Sequence, residues 1–220
     1  MNKKTRNCMI AAALLWLGFV VFTILVRTVD VQDIGPDWSS VGFARLNAKM
    51  YLLFDVNESA GLFWYKMTEG MGIFAIIIGL CFAGLGLAQL IKGRSLKAVD
   101  ADIYVLGGFY VCLAAVYVLF EKLVINYRPV LEDGELAASY PSSHTVLIVG
   151  IMMTTILQLS KRLAGRKLCR PACISCAVLA AVAVIGRLLA GVHWFTDIIG
   201  GLILAAALVV SYEAAVRRIS

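Results

Sequence analysis

Long apolar runs separated by shorter charged segments make up most of this 220-residue chain. An apolar run of about 20 residues can cross a hydrocarbon core of about 30 Å as an α-helix. The pattern predicts six such helices, at residues 8–26, 71–91, 103–120, 142–159, 172–189 and, for most of the sixth, 197–212. The predicted fold is therefore all-α, an integral membrane bundle of six transmembrane helices that forms a single domain over residues 1–220.

The composition agrees with a membrane protein. Hydrophobic residues make up 61% of the chain, charged residues make up 15%, and the mean hydropathy is +0.87, whereas a soluble domain is about 45–50% apolar and about 25% charged. The first apolar run follows a basic start like that of a signal peptide, but it is too long and lacks a small-residue cleavage site. The net charge of +6 forms no compact basic stripe interleaved with aromatic residues, so no nucleic-acid partner is expected.

Residues 27–70 form a long polar segment between the first two predicted spans. Gly35-Pro36 marks a turn within it. Its aromatic residues are mixed with charged ones, which suits a membrane–water interface. We expect short helices here that lie on the bilayer or cover a site as a lid.

Lysine and arginine set the expected orientation, because short cytoplasmic loops are enriched in both. One set of alternate loops, which includes both termini, holds 13 of them, and the other set holds 6 together with ten acidic residues. We therefore expect both termini in the cytoplasm and a multi-pass protein in the plasma membrane. In this orientation the candidate catalytic and phosphate-binding residues described next all reach the extracytoplasmic face.

Three elements place such residues in or beside apolar sequence. A charge at the centre of an inserted helix costs roughly 2.5–3.5 kcal/mol, so these residues are seldom idle. His193 and Asp197 lie one helical turn apart, on one face of a helix. The elements contain both histidines of the chain and read Arg128-Pro129, Pro141-Ser142-Ser143-His144, and Arg187 followed by His193 and Asp197.

Together these residue types indicate a site that handles a phosphate group. Two helix N-termini at one face offer unpaired N–H groups to an anion, and Ser142 or Ser143 can cap the first of them. Arg128 and Arg187 can each bind phosphate oxygens in a bidentate manner. A histidine held in one tautomer by a carboxylate can attack phosphorus, and a second histidine can act as general acid and base.

Each residue also has a simpler interpretation when it is taken alone. Arg187 can be a snorkelling side chain near a helix end. Asp197 can merely cap a helix, and His144 can be a satisfied histidine at the interface. Arg128 can be a solvated charge in a loop. Because their coincidence at one face is improbable, we favour catalysis.

Two groups of residues invite a metal interpretation, and we expect a metal at neither. The histidines and the aspartate lie beside two arginines, whose charge disfavours a cation. Three of the six cysteines cluster near a basic loop, but no histidine or fourth cysteine accompanies them. That cluster is Cys169, Cys173 and Cys176.

The three elements resemble the motifs of the type-2 phosphatidic acid phosphatase (lipid phosphate phosphatase) superfamily, which are Lys-x6-Arg-Pro, Pro-Ser-Gly-His and Ser-Arg-x5-His-x3-Asp. The third match is the most specific, because it fixes three functional residue types at set spacing. The resemblance covers residues 121–201 in its motifs and the whole chain in its six-helix layout.

The resemblance implies a role for each residue. His193 would be the nucleophile that forms a phosphohistidine, Asp197 would orient it, and His144 would be the general acid and base. No metal or other cofactor would be needed. The phosphate would be held by Arg128, Arg187, Ser142 and the backbone N–H of Ser143.

Three positions depart from the motifs. Ser143 replaces the usual glycine, and Gly186 replaces the serine before the arginine. Glu121 stands at the position of the first-motif lysine, while Lys122 comes one residue late. Seven residues span two helical turns and six do not, so the residue that takes the lysine's place stays open.

The predicted function is metal-independent dephosphorylation of a membrane lipid phosphate or pyrophosphate through a phosphohistidine at the extracytoplasmic face. By resemblance, the candidate substrates are undecaprenyl pyrophosphate, phosphatidylglycerol phosphate and phosphatidic acid. One alternative is a phosphotransferase that uses the same intermediate with an acceptor other than water. Another is a non-enzymatic lipid binder or transporter, although the chain has no internal repeat of the kind that transporters show. The lipid and the oligomeric state stay open.

Overall fold

A computed structural model describes residues 2–54 and 57–219 and folds them almost entirely into helices. Within these ranges β-structure is limited to isolated bridges. Six of the helices are long and apolar enough to cross a membrane, and α2 is the exception. The predicted all-α fold with six spans is confirmed. The helices are α1 (Lys3–Thr28), α2 (Ala44–Phe54), α3 (Glu58–Gly93), α4 (Ala101–Lys122), α5 (Ser143–Arg162), α6 (Cys169–Leu189) and α7 (Phe195–Ile219).

Helices α5 and α7 form the centre of the bundle. They contact each other, and between them they contact every other spanning helix. Small residues allow close approach, as at Gly150 of α5, where the Phe109 ring of α4 lies 3.2 Å from the position that a Cβ would take. Ile148, Met152 and Leu204 are fully buried in this core. The two central helices therefore provide a rigid frame for the loops at their ends.

Both termini lie at one end of the bundle. Thr5 near the start of α1 lies 3.5 Å, hydroxyl to carbonyl oxygen, from Arg217 near the end of α7. Ion pairs between α4 and α5 close the same end, with Lys161 2.7 Å and Arg162 3.0 Å from the carboxylate of Asp102. The loop between α4 and α5 and the turn between α6 and α7 lie at the opposite end.

Helix α3 begins earlier than the apolar pattern indicates. It starts at Glu58 instead of residue 71 and has 36 residues, which at 1.5 Å per residue gives about 54 Å, well beyond a 30 Å hydrocarbon core. Lys66 and Glu69 lower the hydropathy of its first part, so the apolar pattern places that part in the polar segment 27–70. Within that segment α2 is a short helix of the expected kind. The early start of α3 brings its polar residues to the site described below.

Candidate active site

The loop after α4 and the turn before α7 meet at the end of the bundle opposite the termini. The indole N–H of Trp194 donates to the carbonyl of Tyr127 at 2.8 Å. The backbone N–H of Ser142 donates to the carbonyl of Asp197 at 3.0 Å. These bonds join all three sequence elements, because Tyr127 precedes Arg128, Ser142 begins α5 and Asp197 lies in the first turn of α7.

A serine links His193 to Asp197. Ser139 Oγ lies 3.1 Å from Nδ1 of His193 and donates to Oδ2 of Asp197 at 2.5 Å. The imidazole and the carboxylate themselves are 4.0 Å apart. Because the hydroxyl gives its one proton to the carboxylate, it accepts from Nδ1–H, and the imidazole is the Nδ1-protonated tautomer. The expected pairing of His193 with Asp197 is therefore indirect, through Ser139.

The other nitrogen of His193 is left free. Nε2 is buried and has no hydrogen-bond partner in the described part of the chain. In the Nδ1-protonated tautomer this nitrogen carries a lone pair. His193 is 3% exposed. The ring thus presents an unprotonated nitrogen in a site largely closed to water.

Electrostatics keep this imidazole neutral. Burial lowers the pKa of His193 well below its ordinary value, and the positive charges of Arg187 and Arg128 lower it further. A neutral imidazole is the form that acts as a nucleophile.

The carboxylate of Asp197 is fully buried and has several donors besides Ser139. The backbone N–H of Trp194 donates to Oδ2 at 2.9 Å, and Asn126 Nδ2 donates to Oδ1 at 3.3 Å. Asn126 Oδ1 in turn accepts from the N–H of Gly42 at 3.4 Å. The segment before α2 is therefore connected to the site through one asparagine, and a buried carboxylate held this way is fixed in position.

Arg187 is a buried cation near the end of α6, with 1% of its surface exposed. Its Nη1 donates to Thr68 Oγ1 at 3.2 Å and to Glu69 Oε1 at 3.1 Å, both on α3. The Tyr65 ring lies 5.5 Å from its guanidinium carbon, a cation–π distance. Nε and Nη2 are buried without a partner among the residues described. These two nitrogens of the guanidinium group are held in place and remain free to donate to an oxyanion.

His144 in the first turn of α5 approaches the same carboxylate. Its Nε2 lies 3.0 Å from Glu69 Oε1. Gly72 of α3 lies beside this ring, and a Cβ added there would be at ordinary contact distance, 3.4 Å from the His144 ring. Glu69 therefore contacts both His144 and Arg187 with a single oxygen atom.

The remaining predicted phosphate ligands lie at the edge of the site. Arg128 is 13% exposed in its side chain and pairs with Glu132 at 3.0 Å, while its Nε donates to the carbonyl of Ala138 at 3.3 Å. Ser142 is the N-cap of α5, where its Oγ accepts from Thr145 N at 3.4 Å. Ser143 follows it in the wall of the cavity described next. The structure thus collects every predicted site residue at one end of the bundle.

An apolar cavity of about 580 Å³ leads to both histidines. Its walls come from α3, α4 and α5, and the loop before α5 closes the end where His144 and His193 lie. Glu121, at the position of the motif lysine, also lines this cavity. Most of the wall is aliphatic or aromatic, with representative residues Ile76, Leu80, Leu113, Tyr117, Leu147 and Ile151.

Sequence reasoning missed four side chains of the site, namely Ser139, Asn126, Thr68 and Glu69. Ser139 and Asn126 lie in a polar loop where nothing distinguishes them from solvated residues. A charged residue two positions before the predicted span that begins at Met71 was the available signal for Glu69. No three His, Cys, Asp or Glu side chains of residues 2–54 and 57–219 are placed so that they could hold a metal ion.

Helix α3 also explains one departure from the motifs. A Cβ added at Gly186 would lie 2.7 Å from Thr68 Cγ2 and 2.9 Å from Trp64 Cε3, which is too close for any larger residue. Thr68 instead supplies the hydroxyl beside Arg187. Gly186 therefore leaves room for Thr68 of α3, whose hydroxyl contacts Arg187.

Comparison with known proteins bears on the resemblance of the motifs and on the fold. Residues 121–219 match the model of the PAP2 superfamily. No curated protein matches the chain. The crystal structure of a PAP2-type transmembrane phosphatidylglycerolphosphate phosphatase from Bacillus subtilis superposes with a TM-score of 0.65 at 16% identity, over 95% of this chain and 97% of that one. The resemblance seen in the three motifs is thus confirmed: residues 121–219 match the PAP2 superfamily model, and the chain shares the fold of the Bacillus subtilis phosphatase structure.

Proposed function

We propose that this protein is a lipid phosphatase that removes phosphate from a membrane lipid phosphate or pyrophosphate through a phosphohistidine on His193. The observation that carries the proposal is the free, buried Nε2 of His193 at the end of an apolar cavity. A nucleophile in that place faces a substrate whose tail lies in lipid. The crystal structure that this chain resembles is that of a phosphatidylglycerolphosphate phosphatase, which supports the same reaction class.

In the first step, the Nε2 lone pair of His193 attacks phosphorus, and the bond from phosphorus to the lipid oxygen breaks. Protonated His144 gives its proton to the departing oxygen, so the lipid leaves as an alcohol or, from a pyrophosphate, as a monophosphate. Ser139 and Asp197 stabilise the imidazole, whose Nδ1–H keeps its hydrogen bond as positive charge develops.

In the second step, water attacks the phosphohistidine. Neutral His144 takes a proton from the water, the phosphorus–nitrogen bond breaks, and inorganic phosphate and free His193 result. The proton gained by His144 restores the acid for the next cycle. No metal enters this scheme, since the arginines supply the positive charge.

We assign the phosphate oxygens to the unused donors around His193. Arg187 offers Nε and Nη2. The N-terminus of α5 offers the backbone N–H of Ser143, while the Ser142 hydroxyl caps that terminus. In this assignment Arg128 turns from Glu132 to the phosphate when substrate binds.

The substrate class follows from the cavity. Its volume of about 580 Å³ is within the range of pockets that hold a small ligand, and its wall suits hydrocarbon. By the distribution of lysine and arginine, this end of the bundle faces the extracytoplasmic side of the plasma membrane. The head group would therefore react at the outer leaflet.

The proposal is tested by phosphate release from a panel of lipid phosphates and pyrophosphates without added metal. His193→Ala should lower turnover roughly a hundredfold or more, because it removes the atom that forms the covalent intermediate. A product that appears only with an added alcohol acceptor would identify a phosphotransferase. Lipid binding without phosphate release, unchanged by His193→Ala, would identify a binder or transporter and reject the proposal.

A further inference from the structure

We propose that Glu69 is an internal competitor for the phosphate position: its carboxylate occupies that position and weakens the binding of every phosphate ester until the substrate displaces it. The inference rests on the proposed function and extends it to substrate binding. Its starting point is a carboxylate inside a site that would bind an anion. None of the three sequence motifs includes this residue.

The contacts of Glu69 are those expected of a phosphoryl oxygen. A single carboxylate oxygen, Oε1, lies 3.1 Å from Nη1 of Arg187 and 3.0 Å from Nε2 of His144. These are the two groups assigned to bind and protonate the substrate. An oxyanion accepting from both at these distances has the geometry of a charge-assisted hydrogen bond.

The surrounding helix holds the carboxylate in this place. Thr68 accepts from Arg187 on one side of α3, and Gly72 lies against the His144 ring one turn later. Glu69 is nevertheless 38% exposed, whereas Arg187 is 1% exposed. The guanidinium is therefore fixed, while the carboxylate borders open space into which it can move.

A substrate phosphate cannot share these donors with Glu69. Two anions within about 4 Å repel each other strongly at the effective dielectric of a protein interior. The incoming phosphate must therefore displace the carboxylate from Arg187 and His144. Head-group binding is weakened by that displacement, for soluble and lipid substrates alike.

The apolar cavity restores the lost affinity only for a substrate with a tail. Each methylene buried from water strengthens binding roughly fourfold, so a chain of several carbons in the 580 Å³ cavity outweighs the displacement of one carboxylate. An ester with a short tail gains much less there. Glu69 therefore weakens every phosphate ester by the same factor, and only a long-tailed substrate keeps a useful affinity.

The test compares two alkyl phosphates that differ only in tail length, butyl phosphate and dodecyl phosphate, with the full chain in detergent. Glu69→Gln keeps the shape and removes the charge. It should raise kcat/KM about tenfold for both esters and leave their ratio unchanged, because the cost of displacing the carboxylate is common to the two. Loss of folded protein would lower both constants, so a rise cannot come from misfolding. Glu58→Gln, on the exposed first residue of the same helix, should leave both constants unchanged.

Calorimetric titration with inorganic phosphate tests the same contact without turnover. Glu69→Gln should bind phosphate about tenfold more tightly than wild type. Values of kcat/KM that stay unchanged or fall for both esters, or phosphate binding no tighter than in wild type, would overturn the inference. If wild type released no phosphate from either ester while Glu69→Gln bound phosphate more tightly, the proposed function would fail and the inference about Glu69 would stand.

Discussion

The hydroxyl of Ser139 stands between His193 and Asp197, 3.1 Å from the imidazole Nδ1 and 2.5 Å from the carboxylate. The imidazole and the carboxylate of the motif are 4.0 Å apart and act on each other through this serine. A motif that specifies histidine and aspartate four residues apart thus depends on a third residue from another loop. Ser139 is a positioning residue, since it orients the imidazole.

Ser139→Ala should lower kcat roughly tenfold to a hundredfold and change KM little, because the ring of His193 loses its fixed tautomer while the phosphate donors stay in place. Steady-state kinetics on a lipid phosphate measure both constants. Ser160→Ala, near the end of α5 away from the site, is the matched control and should behave as wild type. A KM increase with unchanged kcat would place Ser139 in substrate binding instead.

Gly186→Ser restores the residue usual in the motif and should nevertheless harm this protein. Its side chain would meet Thr68 and Trp64 at distances below van der Waals contact. We expect a loss of about 1–3 kcal/mol in unfolding free energy from overpacking, measured by denaturation in detergent. The double variant with Thr68→Ala removes one of the two obstructing groups and should recover part of that loss. Equal stability of Gly186→Ser and wild type would show that α3 can move away freely.

Arg187→Lys keeps the charge and should still lower kcat/KM about a hundredfold. A lysine cannot present two fixed, parallel donors to a phosphate, and the buried fork of Arg187 leaves both Nε and Nη2 for that purpose. Arg170→Lys, on an exposed position near the start of the same helix, should leave kcat/KM unchanged. Near-normal kcat/KM in Arg187→Lys would show that only charge is needed.

The lowered pKa of His193 should make stability fall on acidification. The unfolded chain binds a proton to this histidine near pH 6.5 and the folded protein does not, so folding is opposed as pH drops below that value. At pH 5 the contribution is at most about 2 kcal/mol, the limit set by the unfolded pKa of histidine. His193→Gln should therefore lose less stability than wild type between pH 7 and pH 5 in thermal unfolding. Parallel losses in the two proteins would contradict a neutral, buried His193.

The sequence pattern predicted the spans well because each is a continuous apolar run. It drew attention to Arg187, His193 and Asp197 because polar side chains stand out in or beside such runs. The pattern places the start of α3 at residue 71, because Lys66 and Glu69 resemble loop residues. Only the structure shows that Arg187 and His144 contact Glu69. The linking serine could not be predicted, because its partners come together only when the loop before α5 folds against the turn before α7.

The central claim is tested most directly by rapid quenching of the enzyme with a ³²P-labelled lipid phosphate, followed by identification of the labelled residue. The account predicts an acid-labile phosphoryl group on His193 that forms and decays at rates consistent with turnover and is lost in His193→Ala. Label on any other residue, or undiminished phosphate release by His193→Ala, would contradict it.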